Sequence, residues 1–128
     1  MTPEERFISY RQRGYFQVTP EGEIWRYYQR HKGSKKGLGW VKVATPRRAE
    51  AQTSNYLVVQ MEVYNKKQVV MAHRAVYLAL IGPIPTGWVI NHRDGNKLNN
   101  HPMNLEAVTQ AENVYHATHV LGVGPHAR

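Results

Sequence analysis

The sequence predicts an α+β fold in which a β-rich N-terminal half precedes a compact strand–loop–strand–helix unit. Three patterns lead there. Two pairs of aromatic and β-branched segments, each split by turn residues, fall before residue 73; an apolar stripe of helical period follows; and from Trp88 a short strand, a polar loop, a second strand and a capping sequence come in order. At 128 residues the chain suffices for one core and is short for two. It reads as a single domain over 1–128, with a β-rich basic portion at 1–72, a core unit at 73–117 and a flexible tail at 118–128.

Residues 15–18 and 23–28 read as strands of a hairpin turned at Pro20, Glu21 and Gly22. From Arg26 to Arg48 the chain carries eight lysines and arginines and no acid, interleaved with Tyr27, Tyr28 and Trp40 and with glycines at 33, 37 and 39. Such a run suits an arm or β-loop that neutralises phosphates while its aromatics pack or stack on bases; a solvated loop is the bland alternative. Residues 56–64 and 68–72 form a second predicted hairpin, rich in valine and tyrosine, with Asn65, Lys66 and Lys67 as its turn.

His73, Val76, Tyr77 and Leu80 fall at i, i+3, i+4 and i+7, which predicts a helix to about Ile81, stopped by Gly82 and Pro83. His73 lies on that stripe and reads as a core histidine. Trp88, Val89 and Ile90 make a short strand, and the nearly all-polar stretch after it holds the turn signals Asp94-Gly95, Asn99-Asn100 and His101-Pro102. Residues 105–108 return as a strand, and Thr109 with Glu112 forms a T-x-x-E capping box that starts a helix.

Hydrophobic residues make up 41% and charged residues 20%, which excludes wholesale disorder and fibrous repeats. Lysine and arginine outnumber acids 17 to 9, a formal charge of +8 that favours a polyanionic partner, above all nucleic acid. The absence of cysteine excludes disulfides and thiolate zinc sites, so any metal must take nitrogen and oxygen ligands. No segment has the length of a membrane span and the N-terminus is unlike a signal peptide, so a soluble, cytoplasmic protein without membrane contact is expected.

Polar side chains at loop and helix starts are where chemistry is usually mounted, and Asn91, His92, Asn104, Asn113 and His116 crowd onto one small unit. The run Val89-Ile90-Asn91-His92-Arg93-Asp94-Gly95-Asn96-Lys97-Leu98-Asn99-Asn100, followed by Asn104-Leu105-Glu106 and Glu112-Asn113, resembles the signature of the HNH endonucleases, in particular their phage and homing branch. The resemblance covers about 73–117 and, more loosely, the pattern around residues 15–18 and 23–24. It implies a ββα-metal (HNH) nuclease unit acting on double-stranded DNA with one divalent ion, Mg²⁺ or Mn²⁺, and leaving 5′-phosphate and 3′-hydroxyl ends.

By that resemblance His92 is the general base, a task an imidazole suits because it titrates near neutrality. Asn91 and Asn113 are the metal ligands and Asn104 braces the loop; His116, one helical turn beyond Asn113, reads from its spacing either as a further metal or phosphate contact or as a surface histidine of the same helix. Many relatives carry aspartate where Asn91 stands, and an amide is a weaker ligand for a hard cation than a carboxylate, so phosphate oxygens and water are expected to complete the shell. Adjacent strand residues point to opposite faces, so the strand must end or twist for Asn91 and His92 to serve one phosphate. Arg26, Arg30, Lys32, Lys35, Lys36, Lys42, Arg47, Arg48, Arg74, Arg93 and Lys97 are the candidate DNA contacts. Two other classes fit the charge: a non-catalytic DNA-binding or packaging accessory protein that keeps the fold, and a binder of structured RNA.

Overall fold

The chain begins with a helix that the sequence reading passes over. In the computed structural model, which describes residues 1–28, 39–43, 45–46, 56–63 and 66–120, helix α1 spans Pro3–Gln12. Thr2 caps it: its hydroxyl accepts from the Glu5 N–H and the Glu5 carboxylate accepts from the Thr2 N–H, both at 3.1 Å. Phe7 is the one buried residue of α1, so no apolar stripe advertises the helix.

The first predicted hairpin forms as β1 (Phe16–Val18) and β2 (Ile24–Tyr28), antiparallel, with Phe16 opposite Arg26. A third strand, β3 (Gly39–Lys42), lies within the basic run and pairs with β2. The second hairpin joins β5 (Leu57–Val63) to β6 (Lys66–Met71), with β4 (Thr45–Pro46) beside β5. Here the expected turn is corrected. Lys66 and Lys67 pair with Val63 and Glu62 in the ladder, because each added pair satisfies backbone groups that a longer turn leaves to solvent. Ala72, expected to end the strand, instead opens helix α2 (Ala72–Leu80).

The stripe on α2 buries His73 and Val76 and packs Tyr77 and Leu80 against the core. Two antiparallel strands follow, β7 (Val89–His92) and β8 (Leu105–Val108). Strand β7 starts one residue after Trp88 and runs two beyond Ile90, since Asn91 and His92 find ladder partners in Glu106 and Leu105. A 3₁₀ turn at Pro102–Asn104 leads into β8, and α3 (Gln110–Tyr115) follows with Thr109 accepting from the Glu112 N–H at 3.2 Å. The helix continues as a π-turn over His116–Val120, so the start of the expected tail is helical; residues 121–128 lie outside the described residues.

The α+β expectation is therefore borne out, and one buried cluster among the described residues joins its two halves. Phe7, Phe16, Ile24, Met61, Val70, Val76, Ile90 and Leu105 meet in it, which seats β7 and β8 on the β-rich portion and fixes the ββα unit in place. Among the described residues, no helix is long and apolar enough to cross a membrane.

Gly22 makes a close backbone-to-backbone junction between the halves. Its φ is +90°, and a Cβ there would collide with the backbone carbonyl of Asn100. Gly22→Ala is therefore expected to destabilise the fold by about 2 kcal/mol, combining left-handed strain with overpacking. The check is a lower urea midpoint at unchanged slope; an unaltered midpoint would show that the turn yields freely.

Candidate active site

The polar loop between β7 and β8 is held by its own side chains. Asp94 is the hub: one carboxylate oxygen accepts from the Asn96 N–H at 2.8 Å and the Asn104 amide at 2.9 Å, the other from the Asn99 amide at 2.9 Å. These bonds, that of Asn99 foremost, hold its carboxyl below the usual range for aspartate. Asn104, buried, ties both ends of the loop, since its Oδ1 accepts from the Asp94 N–H at 3.0 Å and its amide donates to the Asn99 carbonyl at 2.9 Å.

His92 is 4% exposed. Its Nε2 lies 2.8 Å from Oδ1 of Asn100, itself buried. An amide oxygen only accepts, so this contact requires the proton on Nε2 and leaves Nδ1 with the basic lone pair. Burial pushes the His92 pKa below the ordinary 6.5; the Asn100 hydrogen bond and the Asp94 charge oppose the shift, and Lys97 adds to it. The ring also meets His73 edge-on, at 5.1 Å between centroids, and lies 6.0 Å from the Tyr56 ring.

Asn91 lies directly opposite Glu106 in the ladder and donates its amide N–H to Glu106 Oε1 at 2.9 Å. The second Glu106 oxygen stands 3.3 Å from the Arg93 guanidinium. Asn91, His92 and Asn113 line one cleft of about 470 Å³, together with Tyr56, His73 and Lys97. Asn91 and His92 thus reach the same cleft although they are neighbours on β7. A wider hollow of about 700 Å³ beside β1, between Arg11, Phe16 and Trp40, holds none of these groups.

His116 is not among the residues lining that cleft. Its Nε2 donates to the Arg93 carbonyl at 2.9 Å and so pins the loop to α3. Of the basic candidates, Arg74 and Lys97 line the cleft. Arg74 pairs with Glu4 at 3.0 Å, Lys97 stands 4.9 Å over the Tyr56 ring, Lys42 pairs with Glu23 at 2.7 Å, and Arg26 lies 5.9 Å from the Phe16 ring centre. Arg30, Lys32, Lys35, Lys36, Arg47 and Arg48 lie outside the described residues.

Two members of the site escaped the sequence reading. Asn100 looks there like one turn former among several, and His73 like a core residue of an amphipathic helix. His73 is indeed buried, at 7% exposure, yet its Nδ1 has no hydrogen-bond partner and its ring walls the cleft.

A family model described as HNH endonuclease matches residues 70–115. The chain is 55% identical over 47 residues to the SPbeta prophage-derived YosQ of Bacillus subtilis (strain 168), named as a candidate HNH homing endonuclease; the match covers 37% of this chain and 27% of that protein. A solved structure describing DNA binding and cleavage by the HNH homing endonuclease I-HmuI superposes with a TM-score of 0.62 at 26% identity, over 87% of this chain and 56% of the other. The chain thus spans about a quarter of the curated relative and just over half of the structural one. The resemblance read from the sequence is borne out over residues 70–115.

Proposed function

We propose that this chain, an HNH endonuclease module over residues 70–115, is a divalent-metal-dependent DNA endonuclease of phage or homing type that hydrolyses phosphodiester bonds in double-stranded DNA. The observation that carries the reading is a buried imidazole whose Nε2 is committed to Asn100, in one cleft with two amide side chains from separate elements.

His92 takes a proton on Nδ1 from the attacking water, while its depressed pKa keeps it unprotonated near neutral pH. The water oxygen bonds to phosphorus as the bond to the 3′ oxygen breaks, and that oxygen takes a proton from solvent. The ends left are a 5′-phosphate and a 3′-hydroxyl. Asn104 and Asp94 hold the loop that follows the base, and Lys97 and Arg74, on the cleft wall, position the phosphate.

The donor set fits a hard cation. The amide oxygens of Asn91 and Asn113 would hold it, and among the described residues no group of three or more histidines and carboxylates offers a softer or more anionic cage. Mg²⁺ or Mn²⁺ bound there supplies Lewis-acid stabilisation of the charge that builds on the phosphate and leaving oxygen. Two neutral ligands would hold the ion weakly, so phosphate oxygens of bound DNA would strengthen its retention. The basic run, Arg26, Arg30, Lys32, Lys35, Lys36, Lys42, Arg47 and Arg48 with Arg93 near the loop, counters the flanking phosphates.

Supercoiled plasmid incubated with the protein and Mg²⁺ or Mn²⁺ tests this reading. Nicking that stops on chelation and drops sharply in Asn113→Ala is expected; DNA retained in a gel shift but left uncut would instead identify a binding accessory. Asn100→Leu is expected to slow cleavage about tenfold or more, the worth of a lost hydrogen bond to a group that becomes charged. Its acid limb should also move to lower pH, because the Asn100 bond raises the His92 pKa; an unmoved profile would mean that Asn100 does not set the tautomer.

A further inference from the structure

The amide of Asn91 can serve a cation only if its oxygen faces it, and nothing in an asparagine side chain ensures this. The terminal torsion is broad and roughly two-fold, so oxygen and nitrogen exchange places at little cost. Turned the wrong way, the NH₂ group repels a cation. Glu106 removes the ambiguity. It sits directly across the ladder from Asn91, where opposed side chains share one face, and its Oε1 is 2.9 Å from the Asn91 amide nitrogen. A carboxylate only accepts, so the NH₂ half must face Glu106 and Oδ1 must turn to the other side.

We propose that Glu106 is a positioning residue for cation capture, setting the Asn91 amide so that Oδ1 is the ligand and placing a negative charge behind that ligand. The inference rests on the proposed function and adds to it a residue that does not touch the ion. Asn91 is buried and the Glu106 side chain 27% exposed, so the charge is felt across a medium less screening than water. Arg93, 3.3 Å from the other carboxylate oxygen, keeps that carboxylate from swinging away from Asn91. Strand β8 thereby contributes to the metal site through strand β7.

A purely structural ion pair predicts something different, and the two separate in metal binding. Glu106→Gln keeps the shape but lets either half of the Asn91 amide face it. The free protein, titrated with Mn²⁺ alone and followed by the electron paramagnetic resonance of unbound ion, is expected to lose about tenfold in affinity in this variant, with an unchanged thermal midpoint. The exchange Asn91→Asp with Glu106→Gln restores one donor facing one carboxylate, now with the charge at 91, and is expected to bind Mn²⁺ at least as well as the original chain. In plasmid nicking, Glu106→Gln should need about tenfold more Mn²⁺ for half-maximal rate and approach the original rate at saturation. Equal Mn²⁺ affinity in the original chain and Glu106→Gln, or a double exchange as weak as the single one, overturns the role of Glu106. If the original chain binds no Mn²⁺ and cuts nothing, the metal-dependent function itself falls, and this inference with it.

Discussion

His92→Ala is expected to slow metal-dependent nicking by about 10²–10⁴-fold, the usual contribution of a positioned general base, while DNA binding in a gel shift stays close to that of the original chain. The ring contributes little to phosphate attraction because burial keeps it neutral, so removing it leaves the basic surface intact. It also vacates space beside His73 and Tyr56, into which added imidazole can enter. Partial recovery with imidazole, following the fraction of imidazole that is unprotonated, would identify the missing function as proton acceptance. Cleavage at the original rate without His92 would assign the base elsewhere. In the intact protein the rate should fall on the acid side only below the ordinary histidine pKa of 6.5, since the shift at His92 is downward.

Local signals account for the elements that could be read directly. Pro20 to Gly22 marked the first hairpin, the stripe from His73 to Leu80 marked α2, and Thr109 marked the start of α3. Helix α1 carries the same kind of start, with Thr2, Pro3 and Glu5, yet without an apolar period to follow it the signal is easily passed over. Strand β3 was hidden by its charge: Lys42 is a strand residue whose ammonium meets Glu23 at 2.7 Å, something composition cannot show. At the site, the motif named His92, Asn91 and Asn113, and folding places all three in one cleft. Asn100 and His73 carry no local mark, because their parts arise from contacts across eight residues of loop and between α2 and β7. Glu106 was half legible. Once β7 and β8 are paired, its place opposite Asn91 follows from register, but a lone carboxylate on a strand carries no local mark of the side chain it will meet.

Acidification is expected to destabilise the protein well before its carboxylates titrate, and His73 is the reason. Its ring is wedged between Tyr56 at 4.9 Å and His92 at 5.1 Å, with Nδ1 buried and unpartnered. Burial first, then the charges of His92 and Arg74, push its pKa from 6.5 down to about 3. The unfolded chain takes up a proton near 6.5 and the folded chain refuses it until about 3. Stability from this group is thus complete above 6.5, falls as the pH drops through that window, and levels off below it. The slope approaches 1.4 kcal/mol per pH unit, so between pH 7 and 5 the loss is about 2 kcal/mol, a sizeable part of the 5–15 kcal/mol typical of a domain. His92, depressed by burial as well, acts in the same direction, whereas Glu5 and Asp94, lowered from 4.5 and 3.8, stabilise the fold above those values and lose that contribution only as the pH falls below them. Urea unfolding at pH 7 and pH 5 therefore isolates the histidines. His73→Phe, which keeps a ring against Tyr56 and cannot take a proton, should lose less than half as much stability over that interval as the original chain. Equal losses in the two proteins would mean that the ring of His73 gains access to water at a cost too small to register.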